Sequence, residues 1–128
     1  MSLTVSPELL DQAHQDEVDD QAFVDCVRKS LPYAWAVLTE LAEQTHATGS
    51  DYTANETPPP GEAERGQLLR ALASDAMRGA LERHFGMRIA FQNCHRVALF
   101  RPEAGQAHAE FVTPRAQLLN QSPEFVDC

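Results

Sequence analysis

Up to Gly86 the apolar residues recur at three- and four-residue intervals, and after Gly86 they recur at every second position. The first spacing predicts helices and the second predicts strands. Ser6, Pro7 and Glu8 stand in the order that opens a helix: a capping hydroxyl, a ring with no amide hydrogen to lose, and an early acid. A short helix from Pro7 to about Gln15 is expected. Phe23, Val24, Val27 and Leu31 share helical spacing, so a second helix is expected over Asp19 to Lys29, with Asp19 and Asp20 at its positive end. Pro32 suits the first turn of a third helix, with Ser30 near its cap and Trp35, Leu38, Leu41 and Ala42 on its buried stripe.

From Ala47 to Pro60 the chain turns polar and ends in three prolines, which predicts a loop. Leu69, Leu72, Ala73, Ala76, Met77, Ala80 and His84 then predict one long central helix from Glu62 to Phe85, closed by Gly86 in a left-handed cap. Met87, Ile89 and Phe91 alternate with polar or small residues, and Val97 and Leu99 with Arg96, Ala98 and Phe100, so strand is expected on both sides of Gln92–His95. That stretch is either a tight turn between two strands or a polar stretch inside one long strand. Ala107 to Thr113 is read as a further strand that Pro114 stops, and Arg115 to Cys128 as a tail or short helix around Leu118 and Leu119.

The fold this pattern implies is a single α+β domain over residues 1–128. Its parts are an acidic helical part (1–46), a proline-ending loop (47–60), a core helix (61–86), a small antiparallel β-meander near the C-terminus (87–113) and a tail (114–128). The helices would pack on one face of the sheet. Trp35, Leu38, Leu69, Leu72, Met77, Ile89, Phe91, Val97 and Leu99 would form the core.

Charge adds an asymmetry. Residues 1–60 carry eleven acids against Arg28 and Lys29, whereas residues 61–128 carry eight acids against eight arginines, so the whole net charge of −9 lies in the front half. Such a chain is expected to be soluble and to repel nucleic acid and anionic lipid at long range. A winged-helix reading fails on the same ground, because acids interleave with the arginines of the helix that would read DNA. No stretch approaches the roughly 20 apolar residues of a membrane span, and acids stand where a signal peptide would need a basic start, so a cytoplasmic protein without membrane or nucleic-acid partners is expected. Cys26, Cys94 and Cys128 are too widely and irregularly spaced for a disulfide framework or a Cys-x-x-Cys metal motif.

Candidate chemistry is confined to one constellation. On a strand, His108 and Glu110 would share a face, and a neighbouring strand would bring Cys94 or His95 toward them. With Cys128 as a further ligand, His95, His108 and Glu110 would suit zinc or iron. Cys94, His108 and Glu110 would alternatively form a thiol nucleophile, its base and the base's orienter. Neither set has diagnostic spacing, and the acids near the N-terminus lack the glycine and spacing of an EF-hand loop. Two surfaces are expected instead to bind a protein partner or a second copy: an acidic one at Asp16, Asp19 and Asp20, and an arginine-bearing one at Arg88, Arg96 and Arg101. On this reading the protein is an acidic interaction or regulatory protein without a cofactor. The alternative is a small metal- or thiol-dependent enzyme centred on the Cys/His/Glu cluster.

Overall fold

The computed structural model describes residues 3–93 and 95–120. Seven helices and a three-stranded antiparallel sheet make up these residues, an α+β fold as the periodicity implies. Cys94, Cys128 and the rest of the tail beyond Asn120 lie outside the described residues.

Helix α1 (Pro7–His14) begins where Ser6 Oγ accepts from the Leu9 amide at 3.1 Å, and α2 (Asp20–Ser30) begins where Asp19 accepts from Ala22 at 2.9 Å. Both satisfy amides that the first helical turn leaves without partners. Helix α3 (Pro32–Thr48) starts at Leu31, which has no side-chain acceptor, and Ser30 is used elsewhere, accepting from the Thr4 amide at 2.9 Å. The cap for α3 comes from 34 residues away: Gln67 Oε1 accepts from Tyr33 at 2.7 Å and from Ala34 at 3.3 Å. Gly49, at φ 68°, ends α3 in the left-handed region that a side chain would strain.

The expected loop over 47–60 contains a strand, β1 (Tyr52–Ala54). Its three residues are too few to show an alternation, and it is stabilised by pairing with a strand far along the chain. The expected long helix is two helices, α4 (Glu62–Leu72) and α5 (Asp75–Phe85). Ser74 caps α5 through Met77 at 3.2 Å, and Arg78 donates to the Leu72 carbonyl at 2.8 Å, so both ends at the break are satisfied. The break changes the phase of the apolar stripe: Leu68 is fully buried, whereas Leu69, expected in the core, is 45% exposed, and Ala73 and Ala76 face outward. Gly86, at φ 64°, closes α5 as expected.

Strands β2 (Arg88–Gln92) and β3 (Arg96–Phe100) form a hairpin, and β1 pairs with the other side of β3, giving the order β1-β3-β2. In register, Tyr52, Phe100 and Arg88 lie abreast at one end, while Gln92 and Arg96 pair at the other. Ala107 to Thr113 is not a strand. Helix α6 (Gly105–Phe111) occupies it and α7 (Pro114–Leu119) follows, capped by Thr113. Alanine and glutamate favour the helix, and Ala107 and Phe111, four residues apart, both pack on the sheet.

The sheet is therefore covered on both faces rather than one. Ile89, Phe91, Val97 and Leu99 meet the α2–α5 side, with Leu38, Leu68, Leu72 and Leu81. Ala90, Ala98 and Phe100 meet α6. Phe100 is fully buried, stacked on Tyr52 at 4.7 Å and edge-on to Phe111 at 5.4 Å. No helix among the described residues is long and apolar enough to cross a membrane.

Candidate functional site

The Cys/His/Glu constellation depends on residues 107–113 being a strand, and the helix there separates its members. Two positions on a helix are about 200° apart around its axis, so His108 and Glu110 do not share a face, and Glu110 is exposed. His108 lies edge-on to Phe100 at 5.2 Å. Burial, and then the nearby Arg88, holds its imidazole below the usual range, with Glu82 opposing. His95 is buried at the opposite end of β3, where burial first, then Arg65 and Arg96, lowers its basicity. Roughly 17 Å of extended backbone separates His95 from Phe100, the residue against which His108 rests, so the two imidazoles lie toward opposite ends of the strand. No group of three His, Cys, Asp or Glu side chains among the described residues is placed to hold a metal ion. Cys94 and Cys128 lie outside those residues.

The six candidate partner-binding residues are used differently from one another. Asp19 is occupied as the α2 cap. Asp20 receives both Arg83 Nε, at 2.5 Å, and Arg83 Nη2, at 2.9 Å, which joins α2 to α5 and holds the Asp20 carboxyl below its usual range. Arg101 donates to the Gly49 carbonyl at 2.9 Å and pairs with Glu103 at 2.5 Å. Asp16 is exposed, at φ 57°, in the bend between α1 and α2. Arg88 is exposed at the sheet edge, and Arg96 is half-buried at the start of β3.

Beside Asp16 and Asp19 lies the feature that residue-by-residue reading missed. An apolar groove of about 390 Å³ is walled by Leu3, Val5, Leu10, Val18 and Phe23, with Leu9 and Cys26 at its floor. Local bonds build it. The Cys26 thiol donates to the Thr4 carbonyl at 3.4 Å, and with the Thr4–Ser30 bond this ties the extended segment before α1 across α2. Leu9 turns inward at 8% exposure, so its neighbour Leu10 must turn outward, at 50%. Val5 and Val18 are similarly half-exposed, at 46% and 47%. Glu8, Asp11, Asp16 and Glu17 are exposed in the segments that frame the groove, and no lysine or arginine precedes Arg28. The outward pair Leu10 and Val18 was available in the sequence as apolar residues left over from the helical stripes.

Compared with known proteins, the whole of residues 1–128 matches the family model described as NucS shadow ORF. The chain belongs to that family. No curated protein and no solved structure matches it. The family's description names a reading frame and no activity, so any functional reading of this NucS shadow ORF family member rests on its own residues.

Proposed function

We propose that this protein is a non-enzymatic interaction module whose acidic-framed apolar groove binds an amphipathic, basic segment of a protein partner. The observation that carries this reading is the coincidence, in one place, of half-exposed Val5, Leu10 and Val18 with exposed Glu8, Asp11, Asp16 and Glu17 in the segments that frame them, in a stretch of sequence with no lysine or arginine before Arg28. Contiguous exposed apolar walls are costly in water and gain free energy when a partner covers them, at about 25 cal/mol per Å². The surrounding acids add little affinity but select a lysine- or arginine-flanked partner and speed its arrival.

Because the family is described as a reading frame, the experiment begins by detecting the translated chain in cells by mass spectrometry. Purified full-length protein is then titrated with a synthetic amphipathic helix bearing leucine on one face and lysine on the other, and with a twin bearing glutamate for lysine. Binding of the lysine peptide is expected to weaken with salt and to fall by roughly tenfold in Leu10→Gln and Val18→Gln, which alter only half-exposed positions. Equal binding of both peptides, or binding indifferent to these substitutions, would sink the reading. So would a salt-sensitive dimer in light scattering that the same substitutions abolish, since the occupant would then be a second copy.

A further inference from the structure

Strand β3 is central, which leaves one side of β2 without a strand partner. The hydrogen bonds settle which groups face that side. The Ile89 amide donates outward to Glu82 Oε2 at 2.9 Å, away from β3. Antiparallel alternation then directs the carbonyl of Ile89 and both the amide and carbonyl of Phe91 to the same open side, while Arg88, Ala90 and Gln92 bond to β3. The opposite edge of β3 agrees, since Val97 turns its amide toward Asn55.

A cleft of about 490 Å³ runs along this edge. Leu72, Ala73 and Arg78 form one wall, and His108 and Val112 form the other. Arg88 is exposed at its end and makes no ion pair among the described residues, whereas the cleft's carboxylate, Glu82, is already engaged by the Ile89 amide. Arg78, by contrast, is already paired with Asp75 at 2.6 Å, so a second copy would bring to this edge another unpaired Arg88 and no unengaged carboxylate to meet it. An acidic segment would supply one.

We propose that this cleft takes an extended acidic peptide segment from a protein partner, which joins the sheet as a fourth strand beside β2. Phe91 supplies the central backbone rung, and Arg88 receives an aspartate or glutamate side chain. This surface is separate from the apolar groove and takes a partner of opposite charge. Backbone bonds would supply affinity and the arginine would supply selection.

The test uses the full chain, isotope-labelled for amide NMR, and an end-blocked peptide of alternating glutamate and valine, about eight residues long to match an ordinary strand. Saturable shifts at the Ile89 and Phe91 amides are expected. A peptide N-methylated on its pairing edge and a lysine-for-glutamate twin should both fail to bind. Arg88→Glu should weaken binding by roughly fivefold or more, the scale of an exposed ion pair. Glu82→Gln keeps an acceptor for Ile89 while removing a negative charge, and should tighten it. The proposal is overturned if no binding occurs, if the N-methylated peptide binds equally, or if the Phe91 amide does not respond. It is also overturned if the same shifts arise from raising protein concentration alone, which would identify a second copy as the occupant.

Discussion

Gln67 and Tyr33 are joined by a 2.7 Å bond from the Tyr33 amide to the Gln67 side-chain oxygen, which makes one helix the cap of another. Leu31, the residue before α3, has no atom that could do this. Replacing Gln67 with leucine is expected to cost about 1–2 kcal/mol, the scale of a lost cap, whereas glutamate keeps an acceptor and should cost less. Urea unfolding of the two variants beside the parent checks the order.

Asn55 extends the sheet beyond β1 by using its side chain as a length of backbone. Its Nδ2 donates to the His95 carbonyl at 2.8 Å and its Oδ1 accepts from the Val97 amide at 2.8 Å. Asn55→Ala leaves a buried donor and a buried acceptor unsatisfied, so a loss of about 2–4 kcal/mol is expected. Amide exchange at Val97 should accelerate in the same variant.

His95 and His108 are both held below the ordinary imidazole value of 6.5, chiefly by burial. The unfolded chain therefore takes up these protons first as the pH falls, so stability is full above about pH 7 and declines below the unfolded value. The decline levels off once the folded protein is protonated too. Asp20, held low by Arg83, acts only below its ordinary 3.8, so its window is separate. Urea midpoints at about pH 7.5 and 5.5 should differ in this direction, and His108→Gln should reduce the difference.

Gly79 lies inside α5, where an added Cβ would rest 3.4 Å from the tip of Arg83, an ordinary contact. Gly79→Ala is expected to stabilise the protein by about 0.5–1 kcal/mol through helix propensity. The corresponding change at Gly66 meets Arg70 at 3.3 Å and should gain less, because the guanidinium must shift. Thermal unfolding of both variants measures the contrast.

Local chemistry was readable where a single residue decides the outcome. Ser6, Asp19 and Gly86 cap the helices that their sequence neighbourhoods predict, and the strand character of β2 and β3 follows from their alternation, while the turn that makes them a hairpin was one of two readings of Gln92–His95. What escaped depended on distant partners or on phase. Ser74 was hidden inside a plausible long stripe, and its cap moved burial from Leu69 to Leu68. The repeated spacing Arg65-Gly66-Gln67-Leu68-Leu69-Arg70 and Arg78-Gly79-Ala80-Leu81-Glu82-Arg83 was a usable sign of two equivalent helices, since Leu68 and Leu81 are both fully buried. β1 has no signature of its own, and Ala107–Thr113 alternates by chance while Ala107 and Phe111 pack at helical spacing. The apolar groove is not a motif at all. It exists because Leu9 and Leu10, adjacent in sequence, must point in different directions.

The position of β3 between a near neighbour and a remote one also sets an order of assembly. Gln92 and Arg96 meet across a short turn, but Tyr52 must find Phe100 across 48 positions of chain. Closing the longer loop carries about 2 kcal/mol more entropic cost than closing the shorter one. The hairpin is thus the natural nucleus and β1 the last strand to arrive, so the Asn55 rung acts as a latch on a sheet that has already formed, and the first part to release when the protein opens.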